Sequence, residues 1–229
     1  MNTNSNSYTT IYASVIVVIV AFLLAFVSST LRDKQQKNVE LDAKKQILSA
    51  LNVRNVENVD AEYDKYVKRD MLMDADGNLS ENTGAFATAY EKEVKENNRY
   101  HVFIAEVDGD TKYIFPVYGT GLWGGIWGYV ALDDDKNTVF GTYFSHAGET
   151  PGLGAEIATA NFQDEFVGRK VLKDGEVALT VVKHGKVADA DYEVDGISGG
   201  TITSDGVKAM LKNCLDDYKV FLTKETVED

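Results

Sequence analysis

The chain has 229 residues, enough for one sizeable domain and an appendage. Its 36 acidic against 23 basic residues give a formal net charge of −13, which repels phosphate backbones and anionic lipid and argues against nucleic-acid binding or peripheral attachment to such lipid. Its single cysteine, Cys214, excludes an intrachain disulfide and argues against an iron–sulfur cluster held by this chain alone, because such clusters take about four ligands. The histidines His101, His146 and His184 are far apart and show no metal-ligand spacing.

The first charged side chain is Arg32, and Ile11 to Val27 before it is almost wholly apolar. As a helix, Tyr8 to Leu31 spans roughly 36 Å, enough to cross a bilayer. A cleaved signal peptide fits less well: no basic residue precedes the run and no Ala-x-Ala-like site closes it, although Ser28, Ser29 and Thr30 are small. Arg32, Lys34, Lys37, Lys44 and Lys45 all follow the span, so the positive-inside rule alone would keep the rest of the chain in the cytoplasm. Residues 34–51 carry Val39, Leu41, Ile47, Leu48 and Leu51 among charged residues, the pattern of an amphipathic helix. Asp74 to Asn78 opens like a calcium loop, but its twelfth position is Ala85 and the later ligands are missing, so a plain turn is expected. Residues 82–97 read as a further helix.

From His101 the period changes to that of strands. Residues 101–107, 111–117, 126–132, 138–145 and 177–183 are expected strands, the first two joined at Asp108-Gly109. A short helix is expected over 155–160. A last helix is expected over 204–221, with Val207, Met210, Leu211, Cys214, Leu215 and Tyr218 on one face. Strands and helices do not alternate strictly, which points to an α+β fold with a largely antiparallel sheet flanked by helices, after one N-terminal membrane helix. The expected boundaries are 1–32 for the terminal segment and span, 33–98 for a helical connecting region packed on the soluble domain, and 99–229 for that domain.

Three glycine-dense segments stand out. Gly119-Thr-Gly-Leu-Trp-Gly-Gly-Ile-Trp-Gly128 sets five glycines beside two tryptophans; this suits a ligand-stacking turn or a bend covered by aromatic core. Glu149-Thr-Pro-Gly-Leu-Gly154 follows His146 and lets backbone approach a ligand through Gly152 and Gly154, or is an ordinary loop. Asp195-Gly-Ile-Ser-Gly-Gly-Thr-Ile-Thr-Ser204 crowds hydroxyls at a helix start. Free N–H groups and the helix dipole favour a phosphate there, although Thr203 or Ser204 could simply cap the helix. No P-loop lysine accompanies it, so nucleotide hydrolysis is not suggested.

Together these segments resemble the C subunit of the Na+-translocating NADH:quinone oxidoreductase, a family with GxGLWG, ETPGLG and SGATxT segments in that order. Gly119 to Gly124, Glu149 to Gly154 and Ser198 to Thr203 match them, with Gly200 where the family usually has alanine. The resemblance implies covalent FMN, esterified through its phosphate to the last threonine of SGxTxT, here Thr203. It places Ser198, Gly199, Gly200 and Thr201, Glu149, Thr150, Gly152, Leu153 and Gly154, and Leu122 and Trp123 around the cofactor. It also implies an inner-membrane location with the domain on the periplasmic side, against the vote of the charges.

The implied role is an electron relay in a six-subunit complex, with A, B, D, E and F subunits as partners, which oxidises NADH, reduces ubiquinone and pumps Na+. A separate flavin transferase would make the ester. The chain alone shows no NADH site, no polar path for Na+ in the span and no complete active site. Two alternatives are the FMN subunit of an Rnf-type electron-transport complex, and a membrane-anchored, non-redox flavin-binding module.

Overall fold

The computed structural model of the chain describes residues 5–84 and 86–224, so Ala85 and the ends of the expected first and last regions lie outside it. The chain divides into two units, one ending at Leu41 and one beginning at Asp42. Helix α1 (Asn6–Ala50) runs through both, so the expected span and the amphipathic helix after it are one continuous element.

In the first unit, α1 is long and apolar enough to cross a membrane, with a mean hydropathy of 2.8 over its most apolar stretch. Its large side chains, Ile11 to Leu31, are exposed. Thr10 and Thr30 donate their hydroxyls to the carbonyls of Asn6 and Phe26 within the helix, both at 2.9 Å.

The second unit is built on one antiparallel sheet. After α1 come α2 (Val59–Tyr66), β1 (Val67–Met73), β2 (Leu79–Glu81), α3 (Tyr90–Asn97), β3 (Tyr100–Val107), β4 (Asp110–Thr120), β5 (Gly125–Leu132) and β6 (Val139–His146). The sheet order is β2-β1-β3-β4-β5-β6, with every neighbouring pair antiparallel. The four strands from β3 to β6 match the expectation to within a few residues. Strands β1 and β2, inside the expected connecting region, were not anticipated. Residues 82–97 are helical only from Tyr90. Asp74 to Asn78 is the β1–β2 turn, closed by the amides of Asp76 and Asn78 donating to Asp74 Oδ1 at 2.9 and 2.8 Å.

Alternation along the strands gives the sheet two buried faces. Ile47 and Leu48 of α1, with Leu51 just after it, pack with Phe103, Ile114, Tyr129 and Ala131 on one face. Val102, Phe115, Val117, Ile126, Val130 and Leu132 form the other face. That second face is covered by a run of short elements and a long helix. They are a 3-10 turn (Gly154–Ala158), α4 (Ala160–Asp164), β7 (Leu172–Lys173), β8 (Glu176–Val177), β9 (Thr180–Val182), β10 (Glu193–Asp195), α5 (Thr201–Asp217) and α6 (Lys219–Thr223). The expected helical face is the one α5 buries, from Val207 to Leu215, with Tyr218 just beyond its end. Cys214 is part of it. Burial raises its thiol pKa to about 11, and Sγ lies 3.4 Å from the Tyr118 amide, so it is packing rather than chemistry.

Where α5 crosses the end of β4, the two backbones meet. A Cβ on Gly206 would stand 2.5 Å from the Thr120 carbonyl oxygen and 3.3 Å from Gly121 Cα. Helix propensity favours alanine over glycine by roughly 1 kcal/mol, but forcing a methyl into a filled site costs about 1–3 kcal/mol, so the clash wins. Gly206→Ala is therefore expected to lower the denaturation midpoint; a raised midpoint would show that α5 and β4 have room to separate.

Candidate functional site

The three glycine segments meet at one place. The first is the β4–β5 connection, the second follows β6, and the third enters α5 from β10. The second and third are held from behind. Gln163 of α4, itself buried, donates to the carbonyls of Phe144 and Ile157 at 3.0 and 3.2 Å and fixes the chain on either side of the second segment. Asp195 accepts from the Gly185 amide at 2.7 Å and from His184 Nδ1 at 2.8 Å. Ser204 Oγ accepts from the Ile197 amide at 3.0 Å and closes the third segment on itself. Gly199 takes a φ of +75°, a region closed to most side chains, and so turns the chain into the helix.

Glu149 is the centre of the arrangement. Its side chain is buried at 4% exposure. Oε1 accepts from the Trp123 amide of the first segment at 2.8 Å, and Oε2 accepts from the Thr203 hydroxyl of the third at 2.5 Å. Its own amide donates to His146 Nδ1 at 3.1 Å. Burial alone would raise the carboxyl pKa; the Thr203 hydroxyl, the Trp123 and Leu122 amides and nearby His146 outweigh it and hold it below the ordinary glutamate value. The site therefore contains a buried, charged carboxylate at neutral pH.

Beside it lies a cavity of about 220 Å3. Leu122, Glu149, Thr150, Leu153 and Gly154 line one side, and Gly199, Gly200, Thr201, Ile202 and Thr203 line the other. Most of the residues expected from the sequence are thus brought together. Ser198, Gly152 and Trp123 do not line the cavity. Ser198 is exposed ahead of it, Gly152 forms the turn at a φ of +74°, and Trp123 contributes its amide while its ring is 70% exposed. Ile202 lines the cavity at 58% exposure and was not anticipated. Its signal was present, as an apolar side chain between two threonines at a helix start.

The two threonines differ sharply. Thr203 is 2% exposed, and a Cβ on Gly154 would stand 2.3 Å from its hydroxyl oxygen, so that oxygen is enclosed. Thr201, the first residue of α5, is exposed on the cavity. The helix has no side-chain cap at Gly200 and no acidic residue in its first turn. Its leading N–H groups are therefore open to an anion, as a phosphate site requires. Exposed Leu122, Leu153 and Ile202 give the mouth an apolar surface suited to a planar ring.

Comparison with known proteins gives a consistent picture. A family profile described as "FMN-binding domain" matches residues 121–216. The C subunit of the Na+-translocating NADH-quinone reductase of Haemophilus ducreyi is 35% identical, across 92% of this chain and 90% of that protein. The protein of the same name from Vibrio anguillarum is 31% identical, across 91% and 92%. The crystal structure of the corresponding protein from Parabacteroides distasonis superposes with a TM-score of 0.80 at 45% identity, across 86% of this chain and 98% of that one.

Proposed function

Because the chain belongs to the C-subunit family of the Na+-translocating NADH-quinone reductases, we propose that it is the membrane-anchored FMN carrier of such a complex, relaying electrons between neighbouring centres. One observation carries the cofactor assignment: an exposed threonine, Thr201, stands at the uncapped start of α5, on a cavity walled by all three glycine segments. FMN would supply the redox chemistry when bound. The chain's own residues need no acid or base. The first N–H groups of α5 would hold the phosphate, and Leu122, Leu153 and Ile202 would offer surface to the flavin ring. Oxidation of NADH, reduction of quinone and Na+ movement fall to the partner proteins of the complex.

The resemblance pointed to Thr203 as the ester site. Its burial, its bond to Glu149 and the closeness of Gly154 argue against a phosphate on that oxygen. A phosphate would also meet the Glu149 carboxylate. Thr201 has neither obstacle, and we read it as the residue that a flavin transferase modifies. Co-expressed with that transferase, the wild-type chain is expected to fluoresce as a flavoprotein band under denaturing electrophoresis. Thr201→Val should leave no signal, and Thr203→Val a reduced but measurable one. A bright Thr201→Val band would move the ester elsewhere; complete loss in Thr203→Val beside a bright Thr201→Val would restore Thr203.

The domain beginning at Asp42 would lie on the periplasmic side of the inner membrane, as the resemblance implies, although the lysines and arginines after the span favour the opposite side. Assembly with multi-span partners supplies the overriding constraint. Protease added to intact spheroplasts is expected to digest the domain, and full protection would reverse the orientation.

A further inference from the structure

We propose that Glu149 and Thr203 form a positioning pair, a buried carboxylate–hydroxyl clamp that fixes the Trp123 turn against the first turn of α5 and so shapes the place where the flavin is attached. The inference rests on the function proposed above and assigns these two residues to the frame of the site rather than to contact with the reacting ring.

The clamp spans three parts of the chain: a residue just after β6 holds the β4–β5 turn by one oxygen and α5 by the other. Room for it is built in. A Cβ on Gly121 would stand 2.6 Å from Glu149 Oε1, and one on Gly154 would stand 2.4 Å from Oε2. Two of the motif glycines therefore serve the carboxylate. Among the described residues no lysine or arginine forms an ion pair with Glu149. Its charge is stabilised by hydrogen-bond donors, which bond more strongly to an ionised acceptor than to a neutral one.

Two donors arrive on two different oxygens. In Glu149→Gln the one acceptor oxygen can keep the Trp123 amide while the NH2 donates to the Thr203 hydroxyl, so that variant removes the charge, whereas Glu149→Ala removes both bonds. The enclosed position of the Thr203 oxygen follows from the same bond, and Thr201 is left as the exposed threonine lining the cavity. A fixed negative charge on the cavity wall has a second consequence: it opposes addition of an electron to any group held there and lowers that group's reduction potential.

The test uses the full-length chain in detergent, prepared with and without the co-expressed transferase. In the flavin-free protein, hydrogen exchange at the Trp123 amide is expected to speed up about tenfold or more in Glu149→Ala, because loss of one charge-assisted bond amounts to at least a factor of ten. The core amides of Phe115 and Val130 should keep their protection, which establishes that the variant is folded. With the transferase, Glu149→Ala and Thr203→Val are each expected to carry roughly tenfold less covalent flavin, whereas Thr203→Ser, which keeps the donor, stays within about twofold of wild type. Glu149→Gln removes the charge alone, and the flavin it carries should have a more positive potential. Unchanged Trp123 exchange in Glu149→Ala, or wild-type flavin content in both Glu149→Ala and Thr203→Val, overturns the clamp. A wild-type chain without covalent flavin overturns the proposed function instead, and the Trp123 exchange rate still decides the clamp.

Discussion

A buried carboxylate must be met by donors on each of its oxygens, and in this protein that constraint joins the site. Taking an ionised group out of water costs several kcal/mol unless strong partners replace the solvent. Glu149 finds them in the Trp123 amide and the Thr203 hydroxyl, residues 26 and 54 positions away. Satisfying one side chain therefore draws together the β4–β5 turn, the loop after β6 and the start of α5. The glycines in those segments follow, since Gly121 and Gly154 stand where a side chain would collide with the carboxylate.

The rest of the fold gives this junction a firm base. Both faces of the sheet are filled, one by the end of α1 and one largely by α5. At the end of α1, Gln46 donates to Asp42 at 2.6 Å and accepts from Trp127 Nε1 at 3.3 Å, which ties the helix to β5 close to the first glycine segment. Strands thus carry the turns, and α5 brings its N-terminus to them at backbone distance through Gly206. An anion site made this way needs no basic side chain, which suits a chain of net charge −13.

Much of this was readable in the sequence. Strands β3 to β6 alternate cleanly and were found; α5 shows its stripe from Val207 onward; the three motif segments announced a shared site. Strand β1 was hidden because Lys68-Arg69-Asp70 interrupts its alternation, leaving only Val67, Met71 and Met73 buried. The eight-residue α2 is too short to show a period, and its Asn58 cap is a single-residue signal. The bond between Glu149 and Thr203 is a tertiary contact with no local trace. The choice between Thr201 and Thr203 was more accessible than the motif made it look. Thr203 lies one helical turn before Val207, on the buried stripe, while Thr201 lies two residues back, about 200° around the helix and so turned away from it. Following the apolar stripe back through the motif separates a buried threonine from an exposed one.

The central claim is that the carboxylate clamp withdraws Thr203 and leaves Thr201 to take the flavin phosphate. Fragmentation mass spectrometry of the flavin-bearing peptide that spans Asp195 to Lys208 reads the modified residue directly. The mass of the FMN ester is expected on Thr201, with Thr203 unmodified. The same mass on Thr203 would contradict the clamp and the site built around it.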